Sequence, residues 1–342
     1  MPDLYLHIGH SKTGTTWLQA VLALSQSALA SQGLAYPSAD TRDPESTEII
    51  LGNAPRLGFE PDLLGAELAA ALRDAQSAVA NLRGVVFSSE ELFPNLIKLP
   101  DPGRLQSAAT EAGFDRIHII LFIRDPIGHA VSLWQQYLKR GGGTASLKMF
   151  LEKYAVPERV AGFLKAFGPL QNVSLTVRNY STRKAQLGHA LAEWLNVPDA
   201  DLRHPDTPPL NRSLTRAELV VQIAVNRHLG RAGCLLSDAL CQDLAALSPD
   251  DMTPDYIAQD ALWNRLASTL AQVNATLAPE DRYRDDRRAP ADTSAIPALS
   301  EAQLTLIGGV LGAEIRRLRL KLAQKPIPNT VRQPDTQQSL VK

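Results

Sequence analysis

The chain has little of what marks several classes of protein. Its 342 residues include only two cysteines and three methionines, and its formal net charge is −1. Two cysteines argue against a disulfide framework, and the balanced charge argues against the broad basic surface of a nucleic-acid-binding protein. No run of about 18 apolar residues occurs, which argues against a membrane-spanning helix. The composition that remains is that of a globular protein with a large core.

The order of the local patterns predicts one domain. Apolar residues begin at Leu4, which leaves no space for a signal peptide, and free cysteines are typical of the cytosol, so we expect a cytoplasmic location. We expect a single domain over residues 1–323, with an α/β core over 1–210 and a helical part over 211–323. Residues 324–342, rich in proline and glutamine, are predicted to be a disordered tail.

Short apolar runs of strand length alternate with helical patterns in the first part of the chain. These runs cover residues 4–8, 85–87, 117–123 and 173–177. The alternation is typical of a parallel sheet with helices on both faces, so we expect a three-layer α/β/α fold, in which ligands bind at the carboxyl ends of the strands. Residues 31–60 are predicted to be an irregular connection.

The helical part carries two capping boxes. Thr215 with Glu218, and Ser300 with Gln303, have the spacing that begins a helix. The second helix has an apolar stripe from Leu304 onward, which would suit a homodimer. We predict no strand after residue 211.

A first chemical motif follows the first strand. Gly9 ends the apolar run, and residues 10–16, HSKTGTT, lead into a helical pattern that starts near Trp17. A strand, a tight loop with lysine and glycine, and a helix start form a cradle for an anion, because the first N–H groups of a helix are unpaired and its dipole favours negative charge. The lysine precedes the glycine, so the loop is not the Walker pattern GxxxxGK(S/T).

A second motif begins at Arg124, directly after the apolar run 117–123. Asp125 suits the N-cap of a helix and Pro126 its first position. The arginine fork can bind a phosphate bidentately, and Ser132, eight residues later, can donate to the same phosphate while Gly128 leaves space for it. Taken alone, an arginine–aspartate pair beside a capped helix explains the motif equally well.

Together, the two motifs resemble those of the sulfotransferases that use 3′-phosphoadenosine 5′-phosphosulfate (PAPS). The resemblance is firm over residues 4–30 and 116–140 and weaker over 84–95 and 172–215. It implies a P-loop-like fold, PAPS as co-substrate without a metal ion, and sulfuryl transfer to the hydroxyl of a glycan, a glycolipid or a small metabolite. The residues that it implies at the nucleotide are Ser11, Lys12, Thr13, Gly14, Thr15, Thr16, Trp17, Arg124, Ser132 and Tyr180.

The chain departs from this family pattern in two respects. Ser11 stands where the family commonly has a proline, and we find no late Arg-Lys-Gly segment of the kind that binds the 3′-phosphate. Another basic group must complete that part of the site, and the candidates are Arg178, Arg212 and Arg227.

Sulfuryl transfer also needs catalytic groups. Lys12 is expected to stabilise charge on the leaving phosphate, and the acceptor hydroxyl needs a general base. By analogy with glycan-modifying sulfotransferases the base is Glu90, with Glu91 as a rival, and His10 in the cradle is a further candidate. The plainer interpretations are a solvated or capping pair of glutamates, and a structural or exposed position for His129 on the helix after Arg124.

Two other functions fit parts of the pattern. A nucleotide-dependent kinase would use the same cradle, but its lysine normally follows the glycine, and no acidic strand end is suitably placed for Mg²⁺. A non-catalytic module would bind the nucleotide and use the helical part to bind a partner.

Overall fold

The computed structural model describes residues 1–37, 52–54, 64–205 and 212–323. Most of the predicted connection over residues 31–60, and all of the predicted tail over 324–342, lie outside the described residues.

The centre of the fold is a five-stranded parallel sheet with the strand order β2-β3-β1-β4-β5. The four predicted strands are confirmed, and a fifth, β2, was missed because a pair of residues next to a glycine gives no periodic signal. The strands are β1 (Asp3–Ile8), β2 (Leu34–Ala35), β3 (Gly84–Ser89), β4 (Ile117–Ile123) and β5 (Val173–Asn179).

Fourteen α-helices connect and extend these strands within the described residues. The capping boxes at Thr215 and Ser300 are both formed, and no strand occurs in the described residues after 211. The helices of the first part are α1 (Thr15–Leu24), α2 (Gln26–Ser31), α3 (Leu64–Ala78), α4 (Leu92–Ile97), α5 (Gly103–Ala112), α6 (Pro126–Arg140), α7 (Leu147–Lys153), α8 (Val156–Phe167), α9 (Tyr180–Arg183) and α10 (Leu187–Leu195). Those of the second part are α11 (Arg216–Leu229), α12 (Cys234–Asp243), α13 (Tyr256–Asn274) and α14 (Glu301–Ala323). None of the described helices is both long enough and apolar enough to cross a bilayer.

Alternating side chains of the strands enter two different helical layers, which confirms the three-layer α/β/α prediction. In β1, Leu4 and Leu6 belong to one buried cluster, while Tyr5 belongs to the other. The first cluster includes residues of α3, α5, α8 and α13, and the second includes residues of α1 and α10. Burial on both faces is what a parallel sheet requires.

A third buried cluster joins α6 to the helices of the second part. Trp134 and Leu138 of α6 pack there against Leu236 and Leu240 of α12 and Ile307 of α14. Through this cluster α12 and α14 are fixed to α6, the helix that follows the second motif.

A buried carboxylate fixes the late part of the chain at the end of β5. Asp281 is 1% exposed and accepts hydrogen bonds from Arg183, at 2.6 and 3.1 Å, and from Arg178 at 3.2 Å. The main-chain N–H of Asn179 also donates to it, at 3.2 Å. These bonds fix Asp281 at the carboxyl end of β5, the neighbour of the strand that leads into the second motif.

We predict that Asp281→Ala lowers the free energy of unfolding by about 3 kcal/mol, because it leaves two arginines without their buried partner. Urea unfolding at neutral pH measures this change. Glu280→Ala is the matched control: its carboxylate is 58% exposed and lies 3.8 Å from Arg183, so we expect a change within about 0.5 kcal/mol. Equal losses in the two variants would contradict the role given to Asp281.

Candidate active site

The loop after β1 is folded tightly by two residues with left-handed backbone conformation. Lys12 has φ 68° and Gly14, the N-cap of α1, has φ 84°. A Cβ atom on Gly14 would also lie 2.9 Å from Leu187, so glycine is required at this position on two grounds. The hydroxyl of Thr13 is buried and donates to the carbonyl of His10, which closes the loop. Thr13 therefore holds the loop from inside, with its hydroxyl already used.

The two sequence motifs meet at this loop. β1 and β4 are neighbours in the sheet, and the Arg124 guanidinium at the end of β4 donates from Nη1 to the carbonyl of Lys12 at 3.1 Å. Lys12 and Arg124 therefore lie together at one carboxyl edge of the sheet.

Positive charge at this edge is only partly compensated. Burial, followed by the charge of nearby Lys139, lowers the pKa of Lys12 to about 8. Burial also lowers the pKa of Arg124 below its usual value. Both shifts arise because a buried cation loses hydration. A bound anion would restore favourable contacts to both groups.

Glu90 follows β3 and faces the loop, whereas Glu91 does not. The hydroxyl of Ser11 donates to Oε2 of Glu90 at 3.2 Å, and Lys12 lies near the same carboxylate. Burial raises the pKa of Glu90 despite these two favourable interactions. Glu91 is exposed at the start of α4. Of the two candidates, the structure brings only Glu90 to the loop.

Two buried histidines support the loop. The ring centroids of His10 and His129 are 4.3 Å apart. Nε2 of His129 donates to the carbonyl of Ser11 at 2.8 Å, so its Nδ1 must accept from the hydroxyl of Tyr154, at 2.7 Å. Burial lowers the pKa of His10 to about 4 and that of His129 well below its usual value, so both rings are neutral at pH 7.

Aromatic rings line the other side of the loop. The Tyr180 ring packs near Gly14, and the Arg124 guanidinium lies 5.6 Å from its centroid. The ring of Trp17 lies 5.2 Å from that of His204, which the sequence did not single out. Trp17 also packs against the buried cluster of α1 and α10.

The start of α6 is bound by an acidic side chain that the sequence analysis missed. Asp286 accepts from the main-chain N–H groups of Ile127, at 3.2 Å, and Gly128, at 2.7 Å. Burial raises the pKa of this carboxyl group. The first N–H groups of α6 therefore already have an anionic partner. Ser132, further along α6, is half-buried and makes no side-chain hydrogen bond within the described residues.

The basic groups expected to complete this side of the site lie elsewhere. Arg178 binds Asp281 and Glu193, Arg212 forms a buried pair with Glu218 at 2.7 Å, and Arg227 is exposed at the end of α11. A further arginine, Arg284, lies in the segment that follows Asp281. The main-chain N–H of Arg284 donates to Asp125, the residue after Arg124, at 3.0 Å, and the Arg284 side chain is exposed.

Some buried polar atoms of the loop have no partner in the described part of the chain. Oγ1 of Thr15 and Nε2 of His10 are both in this state. The hydroxyl of Thr15 belongs to the first residue of α1, where a ligand anion would also meet the helix N–H groups. Thr16, next to it, is half-buried. Within the described ranges, no group of three acidic, histidine or cysteine side chains is arranged to hold a metal ion.

Comparison with known proteins gives distant structural likenesses. No family model and no curated protein matches the chain. A sulfotransferase from Alicyclobacillus acidocaldarius is similar in structure at 14% identity, over 80% of this chain and 95% of that chain, with a TM-score of 0.39. A retinol dehydratase in complex with androsterone and the inactive cofactor PAP is similar at 13% identity, over 96% of this chain and 83% of that chain, with a TM-score of 0.26.

We predict that Lys12 titrates with a midpoint near pH 8, far below an ordinary lysine, because its ammonium group is buried beside other cations. Affinity for an anion in the cradle should then fall as the pH rises through 8, since the neutral amine loses its attraction. The measurement is an NMR titration of reductively methylated protein, with Lys12→Met identifying the resonance. A midpoint close to 10 would contradict the buried position of the amine.

Proposed function

We propose that this protein is a sulfotransferase that uses PAPS. The observation that supports the proposal most directly is the hydrogen bond from Arg124 to the carbonyl of Lys12. PAPS carries a sulfated 5′-phosphate and a separate 3′-phosphate on one ribose. A site for it needs two cationic groups at one sheet edge, one beside a helix start and one at a neighbouring strand end.

Lys12 and the helix start act on the leaving group. The ammonium group of Lys12 and the main-chain N–H groups of Gly14, Thr15 and Thr16 stabilise the negative charge that grows on the 5′-phosphate as the bond to sulfur breaks. The unpartnered hydroxyl of Thr15 supplies a further donor. No metal ion is needed for this step, because fixed donors of the chain take the developing charge.

Glu90 acts as the general base. Its carboxylate lies beside Ser11 and Lys12. Its raised pKa makes it a stronger base than an exposed glutamate, which suits removal of a proton from an acceptor hydroxyl. His10 is the weaker candidate, because its pKa of about 4 makes its ring a poor base. We assign it, with His129, to holding the loop.

The remaining residues would recognise the nucleotide. Arg124 and Ser132 would bind the 3′-phosphate, with Arg284 as the late basic group in place of an Arg-Lys-Gly segment. Tyr180 and Trp17, with His204 beside it, offer flat surfaces for the adenine. The hydroxylated acceptor would be a glycan, a glycolipid or a small metabolite, by analogy with sulfotransferases that use a glutamate base.

We predict that Arg124→Ala weakens binding of adenosine 3′,5′-bisphosphate about 30-fold, because one charge-assisted contact to phosphate is lost. Binding of adenosine 5′-monophosphate, which lacks the 3′-phosphate, should change by less than about threefold. Calorimetry on both ligands gives the ratio that isolates this contact. An equal loss for the two ligands would contradict the 3′-phosphate assignment.

Tighter binding of ATP with Mg²⁺ than of the bisphosphate would favour a kinase instead.

We predict that Glu90→Gln lowers the turnover number for sulfuryl transfer from PAPS about 1000-fold, because the amide cannot accept the acceptor's proton. Affinity for adenosine 3′,5′-bisphosphate should be unchanged within about threefold. Transfer is measured with labelled PAPS on a panel of hydroxylated acceptors. Glu91→Gln is the matched control and should keep full activity, since Glu91 is exposed. If bisphosphate binds tightly but no acceptor is ever modified by the parent protein, a non-catalytic nucleotide-binding module is favoured.

A further inference from the structure

The last described helix, α14, has two different halves. Its first half is anchored: Gln303 donates to the buried Glu218 at 2.8 Å, and Ile307 is buried in the cluster with α6 and α12. From Ile315 to Lys321 every residue is exposed. The second half therefore extends from the body of the described protein as a helix without a packed face.

The extending half combines large apolar side chains with positive charge. Ile315, Leu318 and Leu320 are 52%, 41% and 58% exposed. The same stretch contains Arg316, Arg317, Arg319 and Lys321, although the whole chain has a net charge of −1. Arg317 is paired with Glu314. The other three cations have no ion-pair partner in the part of the chain that the structure describes.

We propose that this helix end binds the surface of a bilayer that contains anionic lipids. Successive residues are about 100° apart around a helix, so Leu320 lies on nearly the opposite side from Leu318. A groove on a protein partner would cover one of these sides only. A helix end inserted at the headgroup level is surrounded by lipid, and its arginine and lysine side chains reach the phosphates.

Other occupants explain less of this surface. Nucleic acid would satisfy the cations but leave three large apolar side chains in water. A second copy of this chain would bring two cationic helix ends together, while α14 has only Glu301 and Glu314 as acidic residues, the latter already paired. An anionic bilayer offers an apolar phase and negative charge at once, which matches both properties of the helix end. The proposal goes beyond the transferase function and does not depend on it.

Vesicle co-sedimentation of the full chain tests the proposal. The probes are vesicles of phosphatidylcholine alone and vesicles with about one third phosphatidylglycerol. We expect binding to the anionic vesicles only, weakened by added salt. Arg316→Gln with Arg319→Gln should lower the partition coefficient roughly 30-fold, since each cation near the surface contributes about fivefold. Leu318→Asn with Leu320→Asn should lower it at least tenfold.

Arg73→Gln with Arg104→Gln is the matched control, because it removes the same charge from two exposed positions on α3 and α5 and should leave vesicle binding unchanged. Thermal unfolding checks that all variants fold. The proposal is overturned if the parent chain does not sediment with anionic vesicles, if the α14 variants bind like the parent, or if the control pair loses as much. It is also overturned if sedimentation equilibrium shows a dimer that Leu318→Asn dissociates, or if duplex DNA competes fully for the helix end. None of these readouts requires sulfuryl transfer. Failure of the bilayer proposal therefore leaves the proposed function untouched, and failure of the proposed function leaves the bilayer proposal untouched.

Discussion

A single hydrogen bond, from the Arg124 guanidinium to the carbonyl of Lys12, sets the electrostatic character of the site. Its acceptor is a neutral carbonyl, so the bond holds the arginine beside the lysine without cancelling either charge. Burial partly dehydrates both cations, and this is the largest cause of the lowered pKa of each. Two nearby carboxylates, Glu90 and Asp286, compensate in part and have raised pKa values themselves. An anionic ligand at this edge would therefore give both cations a favourable partner.

The helical part of the chain helps to position the carboxyl edge of the sheet. α6 starts beside Arg124 and ends in a cluster with α12 and α14. The segment after α13 returns to the sheet, where Asp281 binds the end of β5 and Asp286 binds the start of α6. The position of Arg124 thus depends on contacts from both ends of the sequence. Substitutions in the second part of the chain are expected to alter the position of Arg124 through α6 and through this returning segment.

Local pattern was enough to predict the four longer strands, the cradle loop and both capping boxes, because each depends on residues within about ten positions of one another. β2 was missed, since two residues give no period. His129 was considered structural or exposed, and its buried contact with Ser11 is formed across 118 positions of sequence. Asp286 was missed for the same reason: its partners lie 158 and 159 positions away. A one-sequence pattern has no access to such pairings.

The length of β2 also has a consequence for the way the sheet ends. β2 pairs with β3 through Leu34 and Ala35 alone. An unpaired strand edge invites another chain to add to it, and the tendency grows with the number of free backbone groups in line. Here the template is two residues long and both side chains are buried. On that flank β2 therefore offers another copy of the chain only two residues in line, too few to pair a further strand stably.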